Sequence, residues 1–350
     1  MADKKKGISR VKRKELREGE KGMSWDYYDY RDQLISEEVS IKRCNKLVIP
    51  PAWEEVWISS DPESSLQATG KDAKGRLQYR YHENWTMARA AAKFDGLTGF
   101  AHHLPTIRKH VEADLKLEGM PKKKVVALVV ELMDLYHIRV GNDEYARKNQ
   151  SYGLTTLKEG HMTIDRSKTA EGELDAIFEF KGKSGKDWSI RIWEDDLALL
   201  IEDSGKVGGL DKSQDLFRYE DENGRDYDIK SNHINEYLDA ITPKNHKVTA
   251  KDFRTWAATW KMASRLSKQL DPDKESARKR LATQVIKTVS SDLGNTPTVC
   301  RSSYIHPAIL NDWQEGIFRN KWNRHLEDRK LKGLSKEETI TLRYLESNSG

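Results

Sequence analysis

Cysteine is almost absent from this chain. Cys44 and Cys300 are the only two in 350 residues, and they stand in different segments at a spacing that suits neither a disulfide framework nor a zinc site. An intracellular compartment is therefore expected. No apolar run approaches the length that crosses a bilayer. The lysines near the N-terminus have no apolar stretch behind them, so no secretory signal is read there. No carboxylate cluster suggests a metal, and no internal repeat or low-complexity stretch stands out. Neither sign of charge dominates, with 61 basic against 56 acidic residues and a net charge of +5. What is present is aromatic and apolar: 37% hydrophobic residues, with 10 Trp and 13 Tyr. That content argues against disorder and is ample for the core of one large domain or two ordinary ones.

Distribution of charge says more than its sum. Lys4, Lys5, Lys6, Arg10, Lys12, Arg13, Lys14 and Arg17 crowd the first residues. Residues 1–40 read as a basic, flexible tail, either solvated or serving as a loose electrostatic arm. From about Lys46 to Tyr81 the pattern is short and β-like. Pro50 and Pro51 break any helix, Val56 to Ile58 is a brief strand, and Leu66–Thr69 and Leu77–Tyr81 flank a turn holding Gly70, Asp72 and Gly75. Alternation puts Tyr79 and Tyr81 on one face of that hairpin and Arg80 on the other. From about Glu83 the pattern turns helical. Helices are expected over Thr106–Leu117 (after Pro105), Lys122–Tyr136, Ile234–Ile241, Ala250–Ser267, Lys274–Leu293 and Ala308–Leu331. A small sheet is expected between them, from Tyr152–Leu157, His161–Ile164, Ala176–Phe180 and Trp188–Trp193.

Four segments carry chemistry. The run from Gly294 to Pro307 sets the amide of Asn295 nine residues before Tyr304, in a basic, hydroxyl-rich setting. A phenol oxygen can attack a phosphodiester and keep the energy of the broken bond in a covalent ester. Ile138–Asn142 and Lys251–Trp256 supply Arg139 and Arg254, and Phe180–Lys183 supplies a lysine. A phosphate under in-line attack gathers charge on its non-bridging oxygens. The planar guanidinium suits them because it donates two parallel hydrogen bonds and stays charged. Taken singly, each residue has an ordinary reading: Arg139 as a helix C-terminal charge, Arg254 as a surface residue, Asn295 as a loop cap, Tyr304 as a buried tyrosine. Their order along one chain is what overturns these readings.

Together these segments, with the hairpin Gly70–Tyr81, resemble the type IB DNA topoisomerases of the short poxvirus and bacterial kind, from about Val48 to about Leu310. The resemblance implies an α+β fold: a small β-rich N-terminal domain over 41–84 and a larger, mainly helical catalytic domain of the tyrosine recombinase/topoisomerase type over 85–332, with a small β-sheet insert and a C-terminal segment over 333–350. It implies Tyr304 as nucleophile, and Arg139 and Arg254 as the two catalytic arginines. Asn295 stands where the family carries histidine or asparagine. Lys183 matches the lysine that protonates the departing 5′ oxygen, although Lys181 and Lys186 share its loop. Lys71, Lys74, Arg76, Tyr79 and Tyr81 are implied to face DNA. The family works without metal or other cofactor, so none is expected.

The implied activity is relaxation of supercoiled duplex DNA without ATP, through a 3′-phosphotyrosyl intermediate, strand rotation and religation. Double-stranded DNA is the expected partner, with no membrane, and the expected form is a monomeric clamp in the cytoplasm of a bacterium, at the nucleoid. Two alternatives use the same residues. A tyrosine recombinase shares the chemistry, but usually has histidine where Lys251 stands, three residues before Arg254. A non-catalytic DNA-binding protein would be a decayed form of the enzyme, against which the complete residue set argues. Near the site, His306 and His137 are expected to be positional or structural, and Lys158 is a further residue expected near DNA.

Overall fold

The computed structural model describes residues 7–13, 24–82, 84–85, 94, 96–166, 174–244 and 246–348. The chain forms two compact units, residues 1–93 and 94–350.

The first unit is a five-stranded antiparallel sheet in the order β2-β1-β3-β4-β5. Its strands are β1 (Gly7–Lys12), β2 (Trp25–Tyr28), β3 (Glu54–Ser59), β4 (Leu66–Lys71) and β5 (Leu77–Tyr81), with helix α1 (Glu38–Lys46) between β2 and β3. Period-two alternation sends Ile8, Tyr27, Val56, Ile58 and Ala68 into one core, where Cys44 of α1 meets them. The expected tail over residues 1–40 is corrected here. Gly7–Lys12 is an interior strand, paired to β2 on one side and β3 on the other. Arg10, which charge counting assigns to solvent, is buried. Its guanidinium donates to the carbonyls of Ile49, Pro50 and Trp53 at 2.9, 3.0 and 2.9 Å and lies 3.9 Å over the Trp25 ring. A basic residue enters a core when carbonyls and an aromatic face replace its water. Lys4, Lys5, Lys6, Lys14 and Arg17 lie outside the described residues.

The second unit is mainly helical: α2 (Leu97–Leu115), α3 (Lys122–Tyr136), α4 (Asp143–Asn149), then the three-stranded antiparallel sheet β6 (Met162–Asp165), β7 (Asp175–Lys181) and β8 (Asp187–Ile192). Next come α5 (Asp195–Lys206), the hairpin β9 (Arg218–Glu220) and β10 (Asp226–Asp228), α6 (Ser231–Ile241), α7 (Ala250–Ser267) and α8 (Glu275–Asp292). The remaining elements are α9 (Pro297–Ser303), α10 (Pro307–Glu315), α11 (Phe318–Asn323) and α12 (Lys336–Ser347). The axis of this unit is α7, buried without a break from Phe253 to Thr259 and packed against α2, α3, α8, α10, α11 and α12. The helix is amphipathic, with Lys251 exposed and Lys261 and Arg265 partly so, and its long buried stretch sets it among these neighbours.

Four further expectations change. The helix expected from Thr106 begins at Leu97 with Pro105 inside it, because the buried stripe Phe100, Leu104, Ile107 and Val111 runs through the proline. Tyr152–Leu157 is no strand but a 3₁₀ turn over Leu154–Thr156, hydrogen-bonded to the Arg139 and Val140 carbonyls. The long helix expected over Ala308–Leu331 breaks at Gly316, in the left-handed region, into α10 and α11. The C-terminal segment is part of the core: α12 buries Ile340, Leu342, Tyr344 and Leu345.

Candidate active site

The path of the chain after α3 places the first arginine. His137 ends that helix in the left-handed conformation (φ 55°), its N–H bonded to the Met133 carbonyl. Arg139 follows, and the 3₁₀ turn grips its backbone: the Leu154 N–H donates to the Arg139 carbonyl at 2.8 Å and the Thr155 N–H to the Val140 carbonyl at 2.6 Å. A Cβ on Gly153 would stand 2.6 Å from that Arg139 carbonyl, so the approach needs glycine.

The second arginine rises from the middle of α7. Arg254 is 4% exposed. Its Nη1 donates to the His137 carbonyl, and its Nη2 donates to the Leu293 carbonyl at 2.6 Å and to Asn295 Oδ1 at 3.3 Å. Arg139 Nη2 donates to the same Oδ1. Burial lowers the pKa of both arginines, and burial with the neighbouring Arg139 charge brings Arg254 down to about 10. Two guanidinium groups held this close repel one another unless an anion lies between them.

Asn295 sits just past α8, buried, with its N–H on the Ser290 carbonyl at 2.8 Å. Its Nδ2 is buried with no hydrogen-bond partner, and so is Arg254 Nε. Buried donors without acceptors cost roughly 1–3 kcal/mol each, a cost accepted where a ligand supplies the acceptor.

Tyr304 is the C-cap of α9, a short helix that Thr296 caps and Pro297 begins. The Tyr304 carbonyl accepts from Thr259 Oγ1 of α7 at 3.1 Å, one turn beyond Arg254. Its half-buried ring lies 5.5 Å from the Arg254 guanidinium carbon. Lys183 occupies the β7–β8 turn. A cavity of about 350 Å³ is lined by Arg139, Arg254, Tyr304 and Lys183 together. Groups spread over 166 positions of sequence, from Arg139 to Tyr304, thus share one small chamber.

A family model described as the catalytic core of eukaryotic DNA topoisomerase I matches residues 82–331, and one for the N-terminal domain of bacterial DNA topoisomerase IB matches residues 24–72. The chain belongs to the type IB DNA topoisomerases. It is 31% identical over 296 residues to DNA topoisomerase 1B of Acanthamoeba polyphaga mimivirus, covering 82% of this chain and 83% of the relative. It is 20% identical over 265 residues to DNA topoisomerase 1B of vaccinia virus (strain Copenhagen), covering 74% and 75%. Against DNA topoisomerase 1 of Schizosaccharomyces pombe it is 23% identical over 231 residues, 65% of this chain but 24% of that protein. It is therefore a short type IB enzyme with the α+β fold of that family, and the topoisomerase reading prevails over the recombinase and binding-only alternatives.

Within this topoisomerase the turn lysines separate. Lys183 lines the chamber, Lys181 lines a different cavity beside Gln150 and His161, and Lys186 donates to the Asn295 carbonyl at 3.3 Å. Lys158 is held in an ion pair with Asp215 at 2.5 Å. His306 caps α10 through Nδ1, and His137 contributes its carbonyl, not its ring, to the site. Sequence reasoning missed the Thr259 anchor, the His137 carbonyl, and Asn142, Tyr145 and Tyr152 in the chamber wall. A backbone carbonyl leaves no trace in residue type. The short helix α4 with its Asn142 cap was legible from an Asn followed by two acidic residues.

In the first unit the hairpin residues lie as the alternation predicts. Tyr79 and Tyr81 stack at 6.1 Å, Tyr81 stacks on Trp85 at 4.1 Å, and both tyrosines are exposed on edge strand β5. Arg80 turns the other way, to the Val48 carbonyl at 2.9 Å. Lys71 pairs with Glu55 and Arg76 with Asp72, whereas Lys74 at the turn carries no ion pair among the described residues. Among the described residues no group of His, Cys, Asp or Glu is arranged to hold a metal ion, and no helix is long and apolar enough to cross a membrane.

Proposed function

We propose that this enzyme relaxes supercoiled duplex DNA with Tyr304 as nucleophile, Arg139, Arg254 and Asn295 as phosphate ligands, and Lys183 as general acid. The observation that carries the reading is the chamber shared by Arg139, Arg254, Lys183 and Tyr304, in which two repelling guanidiniums lie beside a phenol. Asn295 joins them through its Oδ1, and its Nδ2, like Arg254 Nε, is a buried donor without a partner. A phosphodiester satisfies all of these at once. Its non-bridging oxygens take the arginine and asparagine donors, and charge that grows there in the transition state is stabilised by about 3–4 kcal/mol for each fixed donor.

The step then balances. Tyr304 Oη gives up its proton to solvent water and bonds to phosphorus, the P–O5′ bond breaks with its electron pair going to O5′, and the Lys183 ammonium transfers a proton to that departing oxygen. The 3′-phosphotyrosyl ester stores the bond energy, torque turns the free strand, and the 5′ hydroxyl reverses the reaction by returning its proton to Lys183. No ATP enters the balance.

We further propose that the hairpin Lys71–Tyr81 faces the DNA, with Lys74 and Arg76 on phosphates and Tyr79 and Tyr81 on the groove surface. The enzyme acts as a monomer clamped on duplex DNA at the nucleoid of a bacterium. The match of residues 24–72 to a bacterial N-terminal domain supports this form. The test is direct. Supercoiled plasmid with EDTA and no ATP should yield ladders of relaxed topoisomers. Tyr304→Phe should lose the covalent DNA adduct while retaining DNA binding. An adduct mapped to any other residue would overturn the assignment.

A further inference from the structure

The β7–β8 turn that carries Lys183 is docked on the segment that carries Asn295, and a single indole makes the joint. Trp188 pairs with Phe180 across the hairpin, their rings stacked at 6.1 Å and 7°. The far edge of the indole occupies the space above two glycines. A Cβ on Gly294 would fall 1.6 Å from Trp188 Cζ2, and a Cβ on Gly182 would fall 2.5 Å from Trp188 Nε1. Gly294 also has a positive φ of 57°, so both backbone and space exclude a side chain there. Gly182 is the residue before Lys183, and Gly294 the residue before Asn295. The Gly294 carbonyl in turn accepts from Arg139 Nη2 at 3.4 Å, and Lys186 at the end of the same turn reaches the Asn295 carbonyl at 3.3 Å.

We propose that Trp188 is a positioning residue for the leaving-group step, seating the Lys183 turn against the Gly294–Asn295 turn so that the ammonium meets the departing 5′ oxygen. The inference rests on the reading of Lys183 as general acid. A lysine side chain has four rotatable carbons and loses roughly 2 kcal/mol of rotamer freedom when fixed. On an exposed turn of a two-strand connection, nothing in the hairpin's own ladder orients it towards Tyr304. The indole does so through the backbone: it touches the glycine that precedes Lys183 and the glycine that precedes Asn295, and fixes the distance between the acid and a phosphate ligand. It does not touch the reacting atoms, and its removal leaves the Arg139 backbone held by the 3₁₀ turn, Arg254 held by the His137 carbonyl and Tyr304 held by Thr259.

This separation gives a discriminating experiment. A thiolate leaves without a proton, so a duplex with sulfur in place of the bridging 5′ oxygen at a mapped cleavage site needs no general acid. Single-turnover cleavage of this and the ordinary duplex is measured for the full-length protein and its variants. For Trp188→Ala the rate on ordinary DNA should fall about a hundredfold, the low end of what a general acid contributes, while the rate on the sulfur duplex stays within about threefold of the unaltered enzyme. Gly182→Ala, which puts a methyl group into the indole from the hairpin side, should show the same pattern, and Trp188→Phe should recover most of the ordinary rate. Thermal unfolding of each variant checks that it is folded. Equal losses on both duplexes, or no loss on ordinary DNA, would overturn the role of Trp188. Lys183→Ala is the separate control. Loss on ordinary DNA with recovery on the sulfur duplex upholds the general-acid reading, and failure to recover overturns that reading and the inference built on it, whatever Trp188 does.

Discussion

Arg139 and Arg254 donate to one and the same atom, Asn295 Oδ1. The amide oxygen is spent on holding the two guanidiniums together, which leaves Nδ2 as a buried donor with no partner. Asn295 thus braces the two arginines, and its free Nδ2 is the donor that the proposed function gives to the phosphate. Asn295→Ala should lower the cleavage rate by about 10²–10³-fold, the effect of losing one fixed transition-state donor. Asn295→Asp should be worse, because it replaces the donor with a second negative oxygen beside the phosphate. Single-turnover adduct formation on a cleavage-site duplex reads both.

The C-terminal helix bears on the site from behind. Glu338 of α12 accepts from Arg108 at 2.9 and 3.0 Å and from the buried Trp256 Nε1 at 3.1 Å, and Trp256 lies two residues past Arg254 on α7. Removing the carboxylate strands an indole N–H and leaves Arg108 with Asp134 and the Gly333 carbonyl. Glu338→Ala should cost about 3–5 kcal/mol, the usual result of breaking one side of a buried pair. Denaturant unfolding measures it, and a chain ending at Gly333 should fail to give a stable protein.

Glu131 on α3 predicts a pH dependence of stability. Burial first, and the Asp134 charge second, push its pKa up from 4.5 to about 7. The folded protein therefore keeps a proton that the unfolded chain releases near 4.5. Stability contributed by this group is full below the unfolded value, falls as pH rises through about 7, and stays lost above it. Glu131→Gln should stabilise the protein by about 1–3 kcal/mol at high pH and leave it unchanged at pH 4. Thermal melts at the two pH values decide.

The β4–β5 hairpin makes a salt prediction. Lys74 has no ion pair among the described residues, whereas Lys71 is held by Glu55. In the proposed DNA contact, the unpaired lysine would release a counterion without first breaking a bridge. Lys74→Ala should reduce the slope of log affinity against log salt by about 1, and Lys71→Ala by less. Tyr79→Ala with Tyr81→Ala should weaken binding with the slope unchanged, because a lost aromatic surface carries no counterions. Fluorescence anisotropy over a salt series measures all three.

By itself the sequence determined the helices whose apolar stripes are strong. Lys122–Tyr136 and Ala250–Ser267 have the bounds that periodicity predicts, and the hairpin Leu66–Tyr81 follows its turn residues. It also determined which side chains have phosphate chemistry to offer, because arginine, lysine and tyrosine announce that chemistry wherever they stand. Only the tertiary structure decided that Arg10 is a core residue, that Lys183 and not Lys181 enters the chamber, and that the last helix belongs to the catalytic unit. The reason is common to all three. Local patterns report the period of a segment, but a charge is drawn inward or left in water by carbonyls, rings and helices that come from far along the chain, and those meet only when the chain is packed.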